Sequence, residues 1–350
     1  MFEYVNVSNP EIKSIWLSKN RTVINQLNQA GYQSFHAWSV FGIWYAFRAK
    51  YSFLSCGFED VNRLGVVHST AIQFWHGIPM KKIRYDDPNN LSRDSSGIFS
   101  KLFLIIFPFY REDFDYLIST GKVCSTRFSS AFRIKPNQLL ETGYPRTDVL
   151  FIKNDDLTNS QLNENAKLIL YAPTHRKEGK TEFDYFNDFD VKKWDMLAKN
   201  NNLKLMVRLH YYDQKYIEEY KIRFSSQDSI HFIDSLQEDD INQCLNNYFT
   251  LITDYSSVWY DYLLLNRPII FYAPDLEQYL QEDRNHYNLY TDEVAGQITT
   301  SWDNTMDEIQ KNCDGIDEWT SIRNKKILDY YRFNDGHSAK RLTDYILKNG

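Results

Sequence analysis

Cysteine is scarce in this chain. Four occur in 350 residues, at Cys56, Cys124, Cys244 and Cys313, and no two form a CxxC pair. A zinc site and a disulfide framework are both disfavoured, and a reducing compartment fits better. Long apolar runs are missing too. The longest, Leu102–Tyr110, contains Pro108 and is too short to span a bilayer, so any membrane contact is expected to be peripheral. No secretory leader pattern opens the chain. It enters a structured segment (Ile12–Leu17) almost at once, and a domain cut from a longer protein is expected. Basic excess is absent: the net charge of −6 implies no general attraction to nucleic acid or anionic membranes. Walker loops, G-x-G-x-x-G, G-x-S-x-G and HExxH are all absent. The only Asp-x-Asp worth weighing, Asp188-Phe189-Asp190, lies in a polar loop. No metal site is expected; a divalent cation such as Mg2+ is allowed but not required.

What is present is the make-up of a soluble α/β protein with room for two cores: 43% hydrophobic and 25% charged residues over 350 positions. Aromatics reach 16%, enough for a sugar-binding or lipid-facing surface, though core packing is the expected use of most of these rings.

Short apolar runs alternate with helical spacing. Ile12–Leu17 reads as a strand and Asn20–Ala30 as a helix stopped by Gly31. Val40, Ile43, Trp44 and Phe47 predict a second helix behind a Ser39 cap. Tyr51–Ser55, Ala71–Trp75 and Leu139–Thr142 read as strands. A polar stretch, Phe151–Asn165, reads as a linker. The pattern then restarts. Strands are expected at Leu168–Ala172, Leu203–Leu209, Ile230–Ile233, Phe249–Thr253 and Ile269–Tyr272. Helices are expected at Val191–Lys199 and Asp239–Asn247, with further helices to the end. Such alternation predicts parallel sheets covered by helices on both faces. The expected domains are 1–155, 156–320 and a C-terminal helical segment, 321–350, packing back on the first.

Open α/β sheets bind ligands beyond the carboxyl ends of their strands. Five motifs fall at such ends: Trp75-His76-Gly77, Gly143-Tyr144-Pro145-Arg146, Ala172–Arg176, Arg208-Leu209-His210 and Asp254–Ser257. Their agreement predicts one cleft shared by two domains. Ser256 and Ser257 open a helix, where unpaired N–H groups and hydroxyls suit a phosphate; ordinary capping is the plainer reading. His76 precedes a glycine that lets a ligand approach the backbone, and its imidazole could take a proton from an attacking hydroxyl. His210 with Arg208 suits a diphosphate, on which charge builds during phosphoryl transfer. Arg146 follows a rigid turn and suits bidentate phosphate contact. Arg176 and Thr174 could serve phosphate or ribose. Asp261 either orients the serines or is a helix-surface acid. Asp148 reads as the cap of the next helix. Lys81, Lys82 and Arg84 either attract a polyanionic acceptor or form a solvated helix start.

These motifs, in this order, resemble the CDP-glycerol glycerophosphotransferase family, the teichoic-acid and capsule polymerases and primases of bacteria. The matching strings are Phe74–Lys82, Thr142–Asp148, Tyr171–Arg176, Arg208-Leu209-His210, and Thr253–Ser257 with Asp261. Asn266–Tyr272, Asp275-Leu276 and Ile15–Asn20 extend the match over nearly the whole chain. The resemblance implies a GT-B architecture and transfer of glycerol phosphate from CDP-glycerol to a polymer hydroxyl, releasing CMP. It implies His76 as base and His210 as a second catalytic residue. Trp75, Gly77, Ile78, Pro79, Arg146, Pro173, Thr174, Arg208, Ser256, Ser257 and Asp261 would hold CDP-glycerol. The acceptor would be a polyol phosphate or glycan, with a lipid-linked form expected, and the location the bacterial cytoplasm at the inner face of the membrane. One departure stands out: the family usually has His-Pro in the fourth motif, and here Tyr211 follows His210. Three rivals stay open. They are a CDP-ribitol or other CDP-polyol donor, another GT-B sugar-nucleotide enzyme, and a non-catalytic nucleotide-binding scaffold.

Overall fold

A computed structural model describes residues 1–88, 114–152, 166–176, 183–234, 240–282 and 286–349. The apolar run Leu102–Tyr110, positions 153–165 of the expected linker and the expected domain break at 155 lie outside them. The chain divides into two units. One is Met1–Asp148 with Tyr330–Gly350, and the other is Val149–Asp329.

The first unit contains α1 (Phe2–Ser8), β1 (Trp16–Ser18), α2 (Arg21–Gln29), β2 (Ser34–His36), α3 (Val40–Arg48), β3 (Tyr51–Leu54), β4 (Thr70–Gln73), β5 (Tyr116–Ile118), α4 (Lys122–Phe132) and β6 (Leu139–Leu140). Strands β3-β4-β5-β6 form a parallel sheet, and β1 and β2 pair separately. Two caps behave as their residue types require. Asn20 accepts from the Thr22 N–H at 2.9 Å, and Ser39 accepts from the Gly42 N–H at 3.0 Å. Leu54, Val66, Ala71 and Phe114 fill the core here. α3 forms where its spacing predicts, yet its bulky residues face outward: Val40 is 82% exposed and Trp44 56%, while Gly42 and Ala46 are buried.

The second unit runs β7 (Lys167–Tyr171), α5 (Val191–Asn201), β8 (Leu203–Val207), α6 (Ile217–Arg223), β9 (Ile230–Phe232), β10 (Tyr248–Thr253), α7 (Val258–Leu263), β11 (Ile269–Tyr272), α8 (Leu276–Glu282), α9 (Tyr290–Glu293), β12 (Gln297–Thr299), α10 (Trp302–Cys313) and α11 (Thr320–Tyr330). Its six parallel strands lie in the order β9-β8-β7-β10-β11-β12. That is the doubly wound arrangement, whose direction of progression reverses between β7 and β10. Because helices cover both faces, β10 and β11 are almost wholly buried and read as continuous apolar runs. The core is strongly aromatic; Phe186 stacks on Trp302 with ring centroids 5.5 Å apart. The chain then returns to the first unit as α12 (Ser338–Asn349).

Several expectations need correction. The first strand is Trp16–Ser18, not Ile12–Leu17. The helix expected over Asp239–Asn247 is two 3₁₀ turns, Ile241–Gln243 and Leu245–Asn247; Asp240 accepts from the Asn242 N–H at 3.1 Å and starts a tight turn instead. Three strands were not foreseen: Ser34–His36, Tyr116–Ile118 and Gln297–Thr299, each of three residues, too short for alternation to register. Asp148 caps no nearby helix. It accepts from the Ser338 and Ala339 N–H groups at 2.9 and 2.7 Å, fastening α12 within the first unit. Among the described residues, no helix is long and apolar enough to cross a membrane.

Candidate active site

In the second unit the loops after β7, β8 and β10 meet at the carboxyl ends of three adjacent strands. β10 and β7 pair in parallel, and Asp254 locks their loops together. Its carboxylate accepts from the Thr174 N–H at 2.7 Å, from its own neighbour's Tyr255 N–H at 2.6 Å and from Arg176 Nη1 at 2.7 Å. Arg176 also donates to Asp275 from Nε and Nη2, at 3.0 and 3.1 Å. Burial works against the guanidinium charge, yet Asp254 and then Asp275 overcome it and raise the pKa above its ordinary value. Arg176, expected to serve phosphate or ribose, is therefore committed to this seam. Tyr255 closes it, stacking on Tyr279 with centroids 3.5 Å apart and donating to Asp275 at 3.0 Å.

Thr174 stands at this switch point with a buried hydroxyl that has no hydrogen-bond partner among the described residues. A buried, unanswered hydroxyl costs stability unless something completes it. Beside it, His175 Nδ1 lies 2.9 Å from both carboxylate oxygens of Asp213. Asp213 is 2% exposed and also accepts from the Tyr185 hydroxyl at 2.8 Å, a phenol that burial and then Asp213 keep protonated. The carboxylate thus fixes the His175 ring through Nδ1. The His210 ring lies 5.4 Å from that of His175. Its Nδ1 accepts from the Tyr212 N–H at 3.4 Å, which places the proton of the neutral ring on Nε2. Burial lowers the His210 pKa, the neighbouring His175 lowers it further, and Asp213 opposes both. His210 is thereby held as a neutral donor at pH 7, suited to a phosphate or leaving oxygen. Tyr211, the departure from the usual motif, begins the 3₁₀ turn Tyr211–Tyr216, and His210 caps it.

Ser256 and Ser257 precede α7, which has only six residues. Ser257 makes no side-chain capping bond, and the Val258 N–H reaches Ser256 Oγ only at 3.5 Å. The plainer capping reading is therefore weak here. Asp261 is 4% exposed and not a surface acid. Pro173 is buried and Arg208 half-buried.

In the first unit, β4 ends in Gln73. Its buried Oε1 accepts from the Trp75 N–H at 3.1 Å, while its Nε2 has no partner among the described residues. That bond braces Trp75 at φ 58°, a left-handed conformation disfavoured for a tryptophan, and Gly77 follows at φ 148°. The two unusual residues turn the chain sharply and leave His76 exposed between them. Arg146 Nη1 donates to the His76 carbonyl at 2.6 Å, so the Gly-Tyr-Pro-Arg turn braces the same loop. Ile78 is 1% exposed and Pro79 is buried with its carbonyl accepting from Arg127, so their side chains face the core. Arg84 lies over the Phe132 ring, 4.7 Å from its centroid.

The structure thus gathers Thr174, Asp254, His210 and their neighbours in one unit, and Trp75, His76, Gly77 and Arg146 in the other. Sequence reasoning gave no role to Gln73, His175, Asp213 or Tyr185. The signal for Asp213 was its place three residues after His210, on the same turn. Among the described residues, no three His, Cys, Asp or Glu side chains are grouped to hold a metal ion.

Residues 1–348 match the family described as CDP-Glycerol:Poly(glycerophosphate) glycerophosphotransferase. The chain is 29% identical over 293 residues to the teichoic acid glycerol-phosphate transferase of Staphylococcus aureus (strain NCTC 8325 / PS 47), covering 80% of this chain and 72% of that one. It is 27% identical over 332 residues to the teichoic acid poly(glycerol phosphate) polymerase of Bacillus subtilis (strain 168), spanning 89% of this chain but only 41% of that protein. A solved structure of the wall teichoic acid polymerase TagF superposes with a TM-score of 0.74 at 25% identity, covering 99% of this chain and 83% of the other. The GT-B fold expected from the motifs is the fold found. On the strength of a match along almost its entire length, this chain belongs to the CDP-glycerol:poly(glycerophosphate) glycerophosphotransferase family.

Proposed function

We propose that the protein transfers glycerol phosphate from CDP-glycerol to a terminal hydroxyl of a growing teichoic-acid-like or capsular polymer, releasing CMP. The observation that carries this reading is the meeting of three loops at the β7/β10 switch point. There the Thr174 hydroxyl, buried and without a partner among the described residues, precedes His175, whose ring lies 5.4 Å from that of the neutral donor His210. Ligands of doubly wound sheets bind at that point.

The chemistry is a displacement at the β-phosphorus. The acceptor oxygen forms a new P–O bond as the bond from the β-phosphorus to the bridging oxygen breaks. His76 takes the hydroxyl proton, and the bridging oxygen leaves with CMP. Arg208, the His210 Nε2–H and the Ser256 and Ser257 hydroxyls balance charge on the diphosphate as it separates. Thr174, Pro173 and Asp261 hold the donor. Trp75, Gly77 and Arg146 shape the loop that presents His76. A cation such as Mg2+ on the diphosphate is compatible with this reading and not required by it. The acceptor is a lipid-linked polyol phosphate or glycan at the inner face of the cytoplasmic membrane.

The deciding experiment is CMP release from CDP-glycerol, with CDP-ribitol as the competing donor. His76→Ala should lower turnover by ~10²–10⁴-fold with donor affinity nearly intact. Near-normal turnover would remove His76 from the chemistry. No CMP from either donor, with CDP-glycerol still bound, would leave a nucleotide-binding scaffold.

A further inference from the structure

We propose that Arg127 is a positioning residue for the transfer reaction: its buried guanidinium holds the Pro79 carbonyl and so fixes the loop that presents His76. Arg127 acts through His76, and its role therefore rests on the reading of that imidazole as the base.

Arg127 stands where a helix ordinarily places an apolar side chain. The buried residues of α4 are Cys124, Arg127, Phe128 and Ala131, spaced i, i+3, i+4 and i+7 as a core-facing stripe. Arg127 is 4% exposed. Taking a guanidinium out of water is costly unless acceptors answer its N–H groups. An apolar residue of similar length would fill the stripe without that cost. What it could not do is donate. Arg127 Nη1 donates to the Pro79 carbonyl at 2.8 Å, and Nη2 donates to the Tyr330 hydroxyl at 3.3 Å. The guanidinium also lies 5.5 Å from the centroid of the Tyr330 ring.

The footing of Arg127 is itself fixed. Tyr330 is 2% exposed, and its carbonyl accepts from the Thr120 hydroxyl at 2.8 Å. The Arg332 N–H donates in turn to the Thr120 carbonyl at 2.8 Å. Gly121 follows, and a Cβ there would stand 2.8 Å from the Tyr330 carbonyl oxygen, so only glycine permits the approach. The start of α4 and the segment that re-enters the first unit are thereby joined, and Arg127 bridges from this joint to the loop.

The loop needs such holding. Trp75 and Gly77, on either side of His76, both take positive φ, 58° and 148°. Gly77 has no side chain to restrain it. Two arginines bracket it: Arg146 takes the His76 carbonyl at 2.6 Å on one side, and Arg127 the Pro79 carbonyl on the other. A base works only within hydrogen-bond reach of the proton it takes, and a misplacement of about 1 Å can cost about 10²-fold in rate. Arg146 belongs to the candidate site itself. Arg127, buried in the core, reaches the chemistry only through the backbone it holds.

The test is CMP release from CDP-glycerol by the full chain with a water-soluble glycerol-phosphate acceptor. It compares wild type, Arg127→Met, Tyr330→Phe and His76→Ala, and the two double variants that join His76→Ala to each of the others. Calorimetry gives donor affinity in parallel, and thermal melting sets a temperature at which every variant is folded. Arg127→Met should lower kcat by about 10–10²-fold while donor affinity stays within about twofold. Tyr330→Phe removes one anchor and keeps the donation to Pro79, so kcat should fall about threefold. In the His76→Ala background neither change should slow turnover further, because no imidazole is left to misplace. A side chain that only stabilised the fold would give the same loss with or without His76. Equal fold-losses in the two backgrounds overturn the proposal, and so does wild-type kcat in folded Arg127→Met. Should Arg127→Met not fold, Tyr330→Phe decides by the same comparison. Near-normal turnover in His76→Ala brings down the reading of His76 as base and the role of Arg127 with it. A slow His76→Ala beside a normal Arg127→Met brings down the role of Arg127 alone.

Discussion

Thr174 Oγ1 is the residue-scale feature with the plainest consequence, because it is buried and bonded to nothing among the described residues. Thr174→Val keeps the shape and removes only the hydroxyl, so the melting temperature should hold or rise slightly. CDP-glycerol should bind about tenfold more weakly, the worth of roughly 1.4 kcal/mol for a hydrogen bond to a charged acceptor. Calorimetry and thermal melting separate the two effects. His210 gives a pH prediction. Its pKa is lowered by burial first and then by His175, so in the free protein it is neutral at pH 7. A bound diphosphate opposes that shift and raises the pKa towards or beyond the ordinary value near 6.5. Binding then takes up a proton as pH falls through that range, so affinity should tighten from pH 7.5 to 6. His210→Asn should flatten the slope; an unchanged slope would mean that His210 is not the group whose protonation is linked to binding. The motif residues were legible in the sequence because each follows a strand. Their partners were not, since Asp213 meets His175 at a separation of 38 positions and Tyr185 meets Asp213 at a separation of 28, with no local signal.

At the scale of elements, the loops of β7 and β10 depend on one buried carboxylate. Asp254 is 1% exposed, and its ion pair with Arg176 is closed to water. Asp254→Asn keeps an oxygen for the Thr174 N–H but removes the charge that Arg176 needs. Breaking a buried pair from one side costs about 3–5 kcal/mol, and the lower end is expected because Asp275 remains beside Arg176. Denaturant unfolding should show that loss together with weakened donor binding; loss of neither would mean the seam is dispensable. α3 shows where sequence reading stops at this scale. The spacing of Val40, Ile43, Trp44 and Phe47 identified the helix correctly. Periodicity says that a helix has an apolar face, not which face meets the protein. Here Gly42 and Ala46 decided that, through an approach to His36 visible only in three dimensions.

At the scale of the whole molecule, the chain leaves the first unit near Asp148 and re-enters it at Tyr330. The alternation of strands and helices made two α/β halves legible. The residues that fasten the route of return lie 190 positions apart and leave no local signal in the sequence. Asp148 makes that closure, holding two N–H groups of α12 that an isolated helix end would leave unpaired. Arg341 adds a second tie by donating to the Thr142 carbonyl at 3.0 Å. Thr142 and Asp148 both belong to the Gly-Tyr-Pro-Arg motif region, whose Arg146 braces the His76 carbonyl. Loosening α12 should therefore reach the His76 loop through this shared turn. Asp148→Ala should cost about 1–2 kcal/mol, as for a lost helix cap. It should also speed hydrogen exchange at the amides of Ser338 and Ala339, and lower turnover more than it weakens donor binding, since the proposed donor-holding residues, Thr174 and its neighbours, belong to the other unit. If exchange at α12 quickens while turnover stays at the wild-type value, the tie is structural and the motif's turn stands without it.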